Sequence, residues 1–197
     1  MSHHIYKTDG FVLGSINTGE ANQYVSLFTR ELGLVRAVAR SVREERSKLR
    51  YSLQHFSCSH FSLVRGRDVW RVVGAQEKYN VYQDCGGDVI KQQMIGRLCA
   101  LLHRLLAGEE KNERLFDILE SGCLFVKDTH LDENLLYTTE CVLALRALHS
   151  LGYVGDIESF KNVVTSTLLS QELLVALTPQ QNIAIAQINK ALEASQL

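Results

Sequence analysis

The sequence predicts an α+β protein in which a small five-stranded β-barrel is followed by an all-α helical region. Up to about residue 77, short runs rich in Val, Phe, Tyr, Thr and Leu alternate with turn residues. From residue 88 onward, leucine and isoleucine recur at helical spacing instead. The charge divides in the same way, since residues 1–80 hold 12 Lys and Arg against 7 Asp and Glu, whereas residues 81–197 hold 9 against 15. We therefore expect two domains, 1–80 and 81–197, that bind different partners.

The first domain contains five candidate strands separated by glycine-containing turns or polar stretches. They are Phe11–Ile16, Gln23–Thr29, Leu34–Ala39, Phe56–Arg65 and Val69–Gln76. No long helix lies between them, which favours a closed or nearly closed barrel over a βαβ unit.

The second domain contains helices whose apolar residues recur at steps of three and four. The clearest are Asp88–Ala107, Asn112–Val126 and Asp132–Leu151. The stretch Asp156–Leu177 is also expected to be helical. Thr178-Pro179-Gln180-Gln181 resembles a capping box that begins a last helix, with Ile185, Ile188 and Leu192 on one face. The change from strand to helix pattern falls between Tyr79 and Gly87.

Several classes of protein are disfavoured by what the sequence lacks. There is no apolar run of eighteen residues and no signal-peptide pattern, so we expect a cytoplasmic protein. The spacing of the five cysteines does not match a secreted disulfide framework. The sequence also lacks a CxxC motif, which would have indicated a zinc site. The absence of GxSxG, Walker and HExxH motifs predicts no catalytic residues, no cofactor and no enzymatic activity.

The densest positive segment predicts a nucleic-acid-binding surface. It contains Arg36, Arg40, Arg43, Arg46, Lys48 and Arg50, and Arg65 and Arg67 beside the Gly66 turn complete the predicted set. Strand alternation places Arg36 and Arg40 on the outer face, with Val35, Ala37 and Ala39 toward the core. A solvated charged face is the alternative, and the residues alone leave both interpretations open.

Four aromatic residues lie close to this segment in sequence, namely Tyr24, Tyr51, Phe56 and Phe61. Burial preference assigns Phe56 and Phe61 to the core. Tyr51, which lies in a polar loop beside the arginines, is the predicted base-stacking residue.

A metal site at His55, Cys58 and His60 is disfavoured, because in a strand Cys58 and His60 share one face while His55 points away. Asp9 and Glu20 are better explained by turn or capping roles than as a catalytic carboxylate pair.

Several linked motifs resemble one known family in order and spacing. They are Thr8-Asp9-Gly10-Phe11-Val12-Leu13, Gly19-Glu20-Ala21-Asn22, Leu27-Phe28-Thr29-Arg30-Glu31-Leu32-Gly33-Leu34-Val35-Arg36-Ala37-Val38-Ala39-Arg40, Ser47-Lys48-Leu49-Arg50 and Leu53-Gln54-His55-Phe56. Together they resemble the N-terminal half of the RecO family of DNA repair proteins. A weaker similarity covers Glu140 to Tyr153.

The resemblance implies an OB-fold barrel followed by a helical domain. It also implies a recombination mediator that binds single- and double-stranded DNA and anneals complementary strands. Such a mediator helps to load RecA onto DNA coated by single-stranded-DNA-binding protein, acts with RecR and contacts the C-terminal tail of the coating protein. Association with the bacterial nucleoid follows from the same resemblance.

Three features depart from the family pattern. Many members carry a cysteine zinc module where this sequence reads Val154-Gly155-Asp156-Ile157-Glu158, so no zinc is expected. The sequence is short for the family, and His55 replaces its usual proline.

A protein-interaction module without DNA binding is the alternative function. For the helical half we expect an exposed apolar groove for an amphipathic or acidic-tipped peptide. Arg97, Arg104 and Lys161 are candidates for holding the acidic end.

Overall fold

The computed structural model describes residues 4–155 and 158–194, and the chain divides into two compact units. The first unit comprises Met1–Gly86 with Leu106–Glu113, and the second comprises Gly87–Leu105 with Arg114–Leu197. A segment between two helices therefore groups with the barrel, whereas the sequence pattern predicted one boundary near residue 80.

The first unit is a closed barrel of five strands, as predicted. The strands are β1 (Ile5–Thr18), β2 (Asn22–Thr29), β3 (Gly33–Ala39), β4 (Ser57–Arg65) and β5 (Trp70–Asn80), joined in the order β1-β2-β3-β5-β4. Every pairing is antiparallel except that of β3 with β5. This order is that of an OB-fold. The short helix α1 (Val81–Asp84) follows β5.

The strand β1 is longer than predicted because it pairs with two neighbours. Gly10–Thr18 is registered with β2, while Ile5–Phe11 is registered with β4. The added N-terminal part includes Lys7 and Asp9, so it lacks the apolar enrichment from which the other strands were predicted.

The barrel interior is filled by inward-facing apolar side chains. The buried set is Val12, Val25, Leu27, Val35, Ala37, Ala39, Val42, Leu53, Phe61, Leu63, Trp70 and Val72. Val35, Ala37 and Ala39 are all inaccessible to solvent while Arg36 between them is exposed, which confirms the predicted alternation along β3. The assignment of Phe61 to the core is also confirmed.

Phe56 was wrongly assigned to the core. It is only half-buried and stacks on Tyr82, with ring centroids 5.4 Å apart. Its backbone φ is +67°, and its N–H donates to the carbonyl of Val12 at 3.0 Å. The turn that makes this hydrogen bond directs the ring out of the barrel.

The turn before β3 carries a close backbone approach. Gly33 has a φ of +71°, and a Cβ added there would lie 2.3 Å from the carbonyl oxygen of Glu110. The next residue, Leu34, donates its N–H to the carbonyl of Gly108 at 2.9 Å. Only glycine combines a positive φ with room for the Glu110 backbone at its α-carbon, so Gly33 lets the 106–113 segment lie against β3.

The second unit is a helical bundle around one buried helix. Its helices are α2 (Val89–Leu105), α3 (Glu113–Asp128), α4 (Glu133–Ser150), α5 (Lys161–Thr165), α6 (Gln171–Leu177) and α7 (Gln181–Ala194). The buried helix is α4, which packs against α2, α5, α6 and α7, and its residues from Cys141 to Leu148 are all buried. No helix of the described ranges is long and apolar enough to cross a membrane.

Two helix predictions in the last fifty residues need correction. The stretch predicted as one helix over 156–177 begins with two residues outside the described ranges. From Glu158 it consists of a 3-10 turn, α5, an extended link and α6. Ser166 ends α5 in an extended conformation, and the Ser170 hydroxyl caps α6 by accepting from the Leu173 N–H.

The predicted capping box at Thr178 is wrong. The Thr178 hydroxyl instead donates to the Leu174 carbonyl at 3.0 Å, one turn earlier. Thr178–Gln180 forms a 3-10 turn that joins α6 to α7, so no helix starts there from a free N-terminus. Proline fits this turn because a first-turn position needs no N–H donor.

Candidate nucleic-acid interface

All nine side chains predicted to contact nucleic acid are exposed. Six cations make no side-chain hydrogen bond or ion pair with any residue of the described ranges; they are Arg36, Arg40, Arg46, Lys48, Arg50 and Arg67. A cation without an internal partner keeps its charge and donors for a ligand. These six cations are therefore electrostatically available.

The remaining three predicted residues differ in their surroundings. Arg43 donates from Nη1 to the Gly19 carbonyl at 3.3 Å. Arg65 lies 3.5 Å from the Glu109 carboxylate and 5.4 Å from the centre of the Trp70 ring. Tyr51 is 67% exposed.

A neighbouring set of charged residues on the barrel shows the contrasting case. Lys78 Nζ and His60 Nδ1 lie 2.9 Å and 3.0 Å from the two Asp9 carboxylate oxygens. Burial raises the pKa of Asp9, but the hydrogen bonds and charges of Lys78 and His60 outweigh it and leave the pKa below its usual value. Lys78 and His60 are thus both hydrogen-bonded to the Asp9 carboxylate. The His60 side chain contacts Asp9 and does not form a pair of metal ligands with Cys58. No group of three or more potential ligands that could hold a metal ion occurs within residues 4–155 and 158–194.

One cavity lies at the outer face of β2 and β3, and we call it the β2–β3 cavity. Its volume is about 1020 Å³. Tyr24 and Arg36 come from the strand faces, and Arg65, Asp68 and Val69 come from the β4–β5 turn. Glu109 also lines it and accepts a hydrogen bond from Trp70 Nε1 at 2.8 Å. Because Glu109 also pairs with Arg65, Arg36 is the arginine of this cavity that remains unpaired.

The second cavity, which we call the barrel-mouth cavity, lies beneath the loop that joins β3 to β4. Its volume is about 540 Å³. It is lined by Ser15, Asn17, Gln23, Val42, Arg43, Arg50, Leu53, Gln54 and His55. Two arginines and no acidic residue are among them, so its charge is more positive than that of the β2–β3 cavity.

Four of the nine predicted residues thus line two separate cavities rather than one groove. Arg36 and Arg65 line the β2–β3 cavity, and Arg43 and Arg50 line the barrel-mouth cavity. Arg40 directly follows β3 and lies between Arg36 and Arg43 in the chain. Arg46, Lys48, Tyr51 and Arg67 are exposed loop residues that line neither cavity.

Two residues of the same face are not in the predicted binding set. Tyr24, noted only as a nearby aromatic, is 46% exposed on β2 and lines the β2–β3 cavity, and its alternation with buried Val25 could have indicated it as well. Arg71 is registered beside Val38 across the parallel β3–β5 pairing, and its Nε is buried without a hydrogen-bond partner. No local pattern predicts that pairing, so the sequence gives no signal for Arg71.

The candidate peptide-binding residues of the helical unit differ in availability. Arg97 makes two hydrogen bonds to the Glu140 carboxylate, at 2.7 Å and 2.6 Å, so its charge is neutralised. Arg104 and Lys161 are exposed and have no side-chain partner in the described part of the chain. A cavity of about 10 Å³ between α4 and its neighbours is a small internal void rather than a groove.

The strand order and the position of the first cavity define the class of protein. In an OB-fold, the face of strands 2 and 3 and the loops after strands 1 and 4 form the usual ligand surface. Here that surface carries Tyr24, Arg36 and Arg65. Residues 1–86 are therefore an OB-fold, and an exposed tyrosine and two arginines lie on its usual ligand surface.

Comparison with known proteins finds similarity to one family. Residues 1–76 match the family model described as "Recombination protein O N terminal". The chain is similar to the DNA repair protein RecO of Alkaliphilus metalliredigens, with 30% identity over 58% of this chain and 46% of that protein. It is also similar to those of Rubrobacter xylanophilus (31%; 58% and 46%) and Heliobacterium modesticaldum (29%; 78% and 54%).

Residues 1–76 therefore match the RecO N-terminal family model, and the chain is similar to proteins named RecO. It spans about half the length of the curated relatives that it matches.

Proposed function

We propose that this protein is a RecO-like recombination mediator that binds single- and double-stranded DNA through its barrel. In this role it promotes strand annealing and helps to load RecA onto DNA coated by single-stranded-DNA-binding protein, without catalysing covalent chemistry. The proposal includes a cytoplasmic, nucleoid-associated location in a bacterium. The observation that carries it is the set of exposed cations on β3 and its following loop that have no partner among the described residues of this OB-fold, beginning with Arg36 at the β2–β3 cavity.

The order of these cations along the chain suits a nucleic-acid backbone. Arg36 projects from the outer face of β3, and Arg40 directly follows the last strand residue, Ala39. Arg43 follows, with its N–H bound to the Ala21 carbonyl at 3.1 Å, so the loop after β3 lies against the turn after β1. A backbone that follows these arginines passes from the β2–β3 cavity to the barrel mouth. Tyr24 offers a ring for base stacking beside Arg36.

A salt series of binding to a labelled single-stranded oligonucleotide tests this interface. Affinity should fall linearly on a log–log plot, because each phosphate contact releases counterions. For single strands, losing two contacts in the Arg36→Gln/Arg40→Gln double variant should reduce the slope by about 1.4. The matched control is Arg104→Gln/Lys190→Gln, which removes the same charge from exposed helical positions.

The control should retain the wild-type slope. Equal effects of the two double variants would show that only net charge matters and would remove the proposed path. If the wild type does not bind at low salt, the alternative of a protein-interaction module takes its place. Strand annealing in the presence of single-stranded-DNA-binding protein then tests mediator activity by comparing the wild type with the Arg36→Gln/Arg40→Gln variant.

The helical unit is the proposed site for protein partners, namely the C-terminal tail of single-stranded-DNA-binding protein and RecR. Residues 81–197 carry more acidic than basic side chains, so they repel an acidic tail unless a local cation binds it. Since Arg97 is paired with Glu140, Arg104 and Lys161 remain the candidates. Titration with the tail peptide tests this, and no binding at millimolar peptide would reject it.

A further inference from the structure

The barrel-mouth cavity combines features that a backbone-binding surface alone does not need. Val42 and Leu53 line it and are only 3% and 2% exposed, so they provide an apolar floor. Polar side chains surround this floor, and none of the lining residues is acidic. An apolar floor with a few placed polar groups is typical of a small-molecule site.

An amide pair lies at one side of the floor. Gln23 Nε2 donates to Asn17 Oδ1 at 2.9 Å. This leaves Gln23 Oε1 as an acceptor and Asn17 Nδ2 as a donor, and neither atom has another partner within the described ranges. A neighbouring acceptor and donor match the hydrogen-bonding edge of a nucleobase, as in adenine recognition by amide side chains.

Two guanidinium groups supply the charge. Arg43 is anchored at the Gly19 carbonyl through Nη1, which leaves its other donors unused. The Arg50 guanidinium has no partner among the described residues. Ser15 and His55, hydrogen-bonded to each other at 2.9 Å, complete the polar wall. Paired guanidinium groups bind phosphate through charge-assisted hydrogen bonds.

We propose that the barrel-mouth cavity binds a single nucleotide, with its base on the apolar floor against the Asn17–Gln23 amide pair and its phosphate at Arg43 and Arg50. A volume of about 540 Å³ lies within the range of small-ligand sites. This inference rests on the proposed DNA-binding function, which it deepens by assigning one subsite to an unstacked nucleotide.

Calorimetric titration of the full chain with deoxyadenosine monophosphate tests the site. The nucleotide should bind saturably, whereas deoxyadenosine and inorganic phosphate, each offering half of the contacts, should bind at least tenfold more weakly. Arg50→Gln should weaken nucleotide binding about tenfold or more, the effect of losing a charged hydrogen bond. Gln23→Ala should weaken binding of the nucleotide but not of phosphate.

Lys7→Gln is the matched control, because Lys7 is an exposed cation of the barrel that has no partner among the described residues and does not line the cavity. It should bind the nucleotide like the wild type. Arg50 has no internal partner to lose, so its replacement should leave the melting temperature unchanged. Absent nucleotide binding, or binding that Arg50→Gln and Lys7→Gln affect equally, would overturn the proposal.

The failure of this subsite and the failure of the DNA interface are distinguishable. If the cavity is not a nucleotide site, oligonucleotide binding that depends on Arg36 and Arg40 persists while mononucleotide binding is absent.

Where the mononucleotide does bind, oligonucleotides with and without a 5′-phosphate identify the source of the bound nucleotide. A preference for the phosphorylated end that is lost in Arg50→Gln assigns the site to strand ends, and no preference assigns it to nucleotides within a strand or free in solution.

Discussion

A fully buried arginine organises the link between two helices of the second unit. Arg146 lies on α4 with no exposed surface, and it donates to the carbonyls of Val163, Thr167 and Leu168 at 2.8, 3.1 and 2.8 Å. Burial lowers its pKa to about 10, with a further contribution from the positive charge of Arg114. Even with this lowered pKa, the guanidinium is charged at neutral pH. Its N–H groups donate to backbone carbonyls that the extended link between α5 and α6 would otherwise leave without donors.

Replacing this arginine should be among the most damaging single changes in the helical unit. Arg146→Ala leaves three carbonyls without their donors and opens a cavity, so we expect it to lower the free energy of unfolding by about 3 kcal/mol. Urea denaturation measures this change. Arg97→Ala, which removes an exposed ion pair to Glu140, is the comparison and should cost about 1 kcal/mol or less. Similar losses for both variants would refute the organising role of Arg146.

At the scale of elements, the turn into β3 determines where the 106–113 segment lies. Gly33 combines a positive φ with the backbone of Glu110 close to its α-carbon. An alanine would meet both the left-handed backbone penalty and a contact with main-chain atoms that cannot rotate away. Because the segment contributes Glu109 to the β2–β3 cavity, the same glycine also shapes the candidate interface.

Gly33→Ala should therefore destabilise the barrel by about 2–3 kcal/mol. Thermal unfolding followed by circular dichroism measures the effect. Gly14→Ala provides the control, since a Cβ at Gly14 meets nothing within 4 Å and its φ is not positive. A Gly33 variant as stable as the Gly14 variant would contradict the close approach.

The elements also show how far the sequence could lead. Strands with local apolar enrichment and helices with sustained periodicity were predicted within a few residues, because burial of one face leaves a local pattern. The N-terminal part of β1, the 3-10 turn at Thr178 and the position of Arg71 depend on pairings between distant segments. For the candidate site, the exposure of the arginines was predictable from alternation, whereas their division between two cavities required the folded loop.

At the scale of the whole molecule, all five cysteines are buried and none forms a disulfide. Burial raises the pKa of Cys99 to about 12 and that of Cys141 to about 11, so their thiolate forms are strongly disfavoured at neutral pH. The thiols lie in both units, so their protection reports on the packing of the entire chain.

Ellman's reagent should therefore react very slowly with the native protein at pH 8 and should titrate all five thiols after denaturation. The measurement is the absorbance of the released thiolate over time. Rapid reaction of one thiol in the native state would show that its unit opens locally. Mass spectrometry of the labelled peptide would then identify that residue.

The barrel closes through its shortest pairing. β3 and β5 are registered only at Ala37 with Trp70 and at Val38 with Arg71, whereas β4 and β5 are registered over nine pairs. During synthesis the native partners of the β3 edge therefore exist only after residues 70 and 71 have emerged from the ribosome. This two-pair joint lies directly beside Arg36, so the cavity that Arg36 lines together with Trp70 is complete only once β3 and β5 have met.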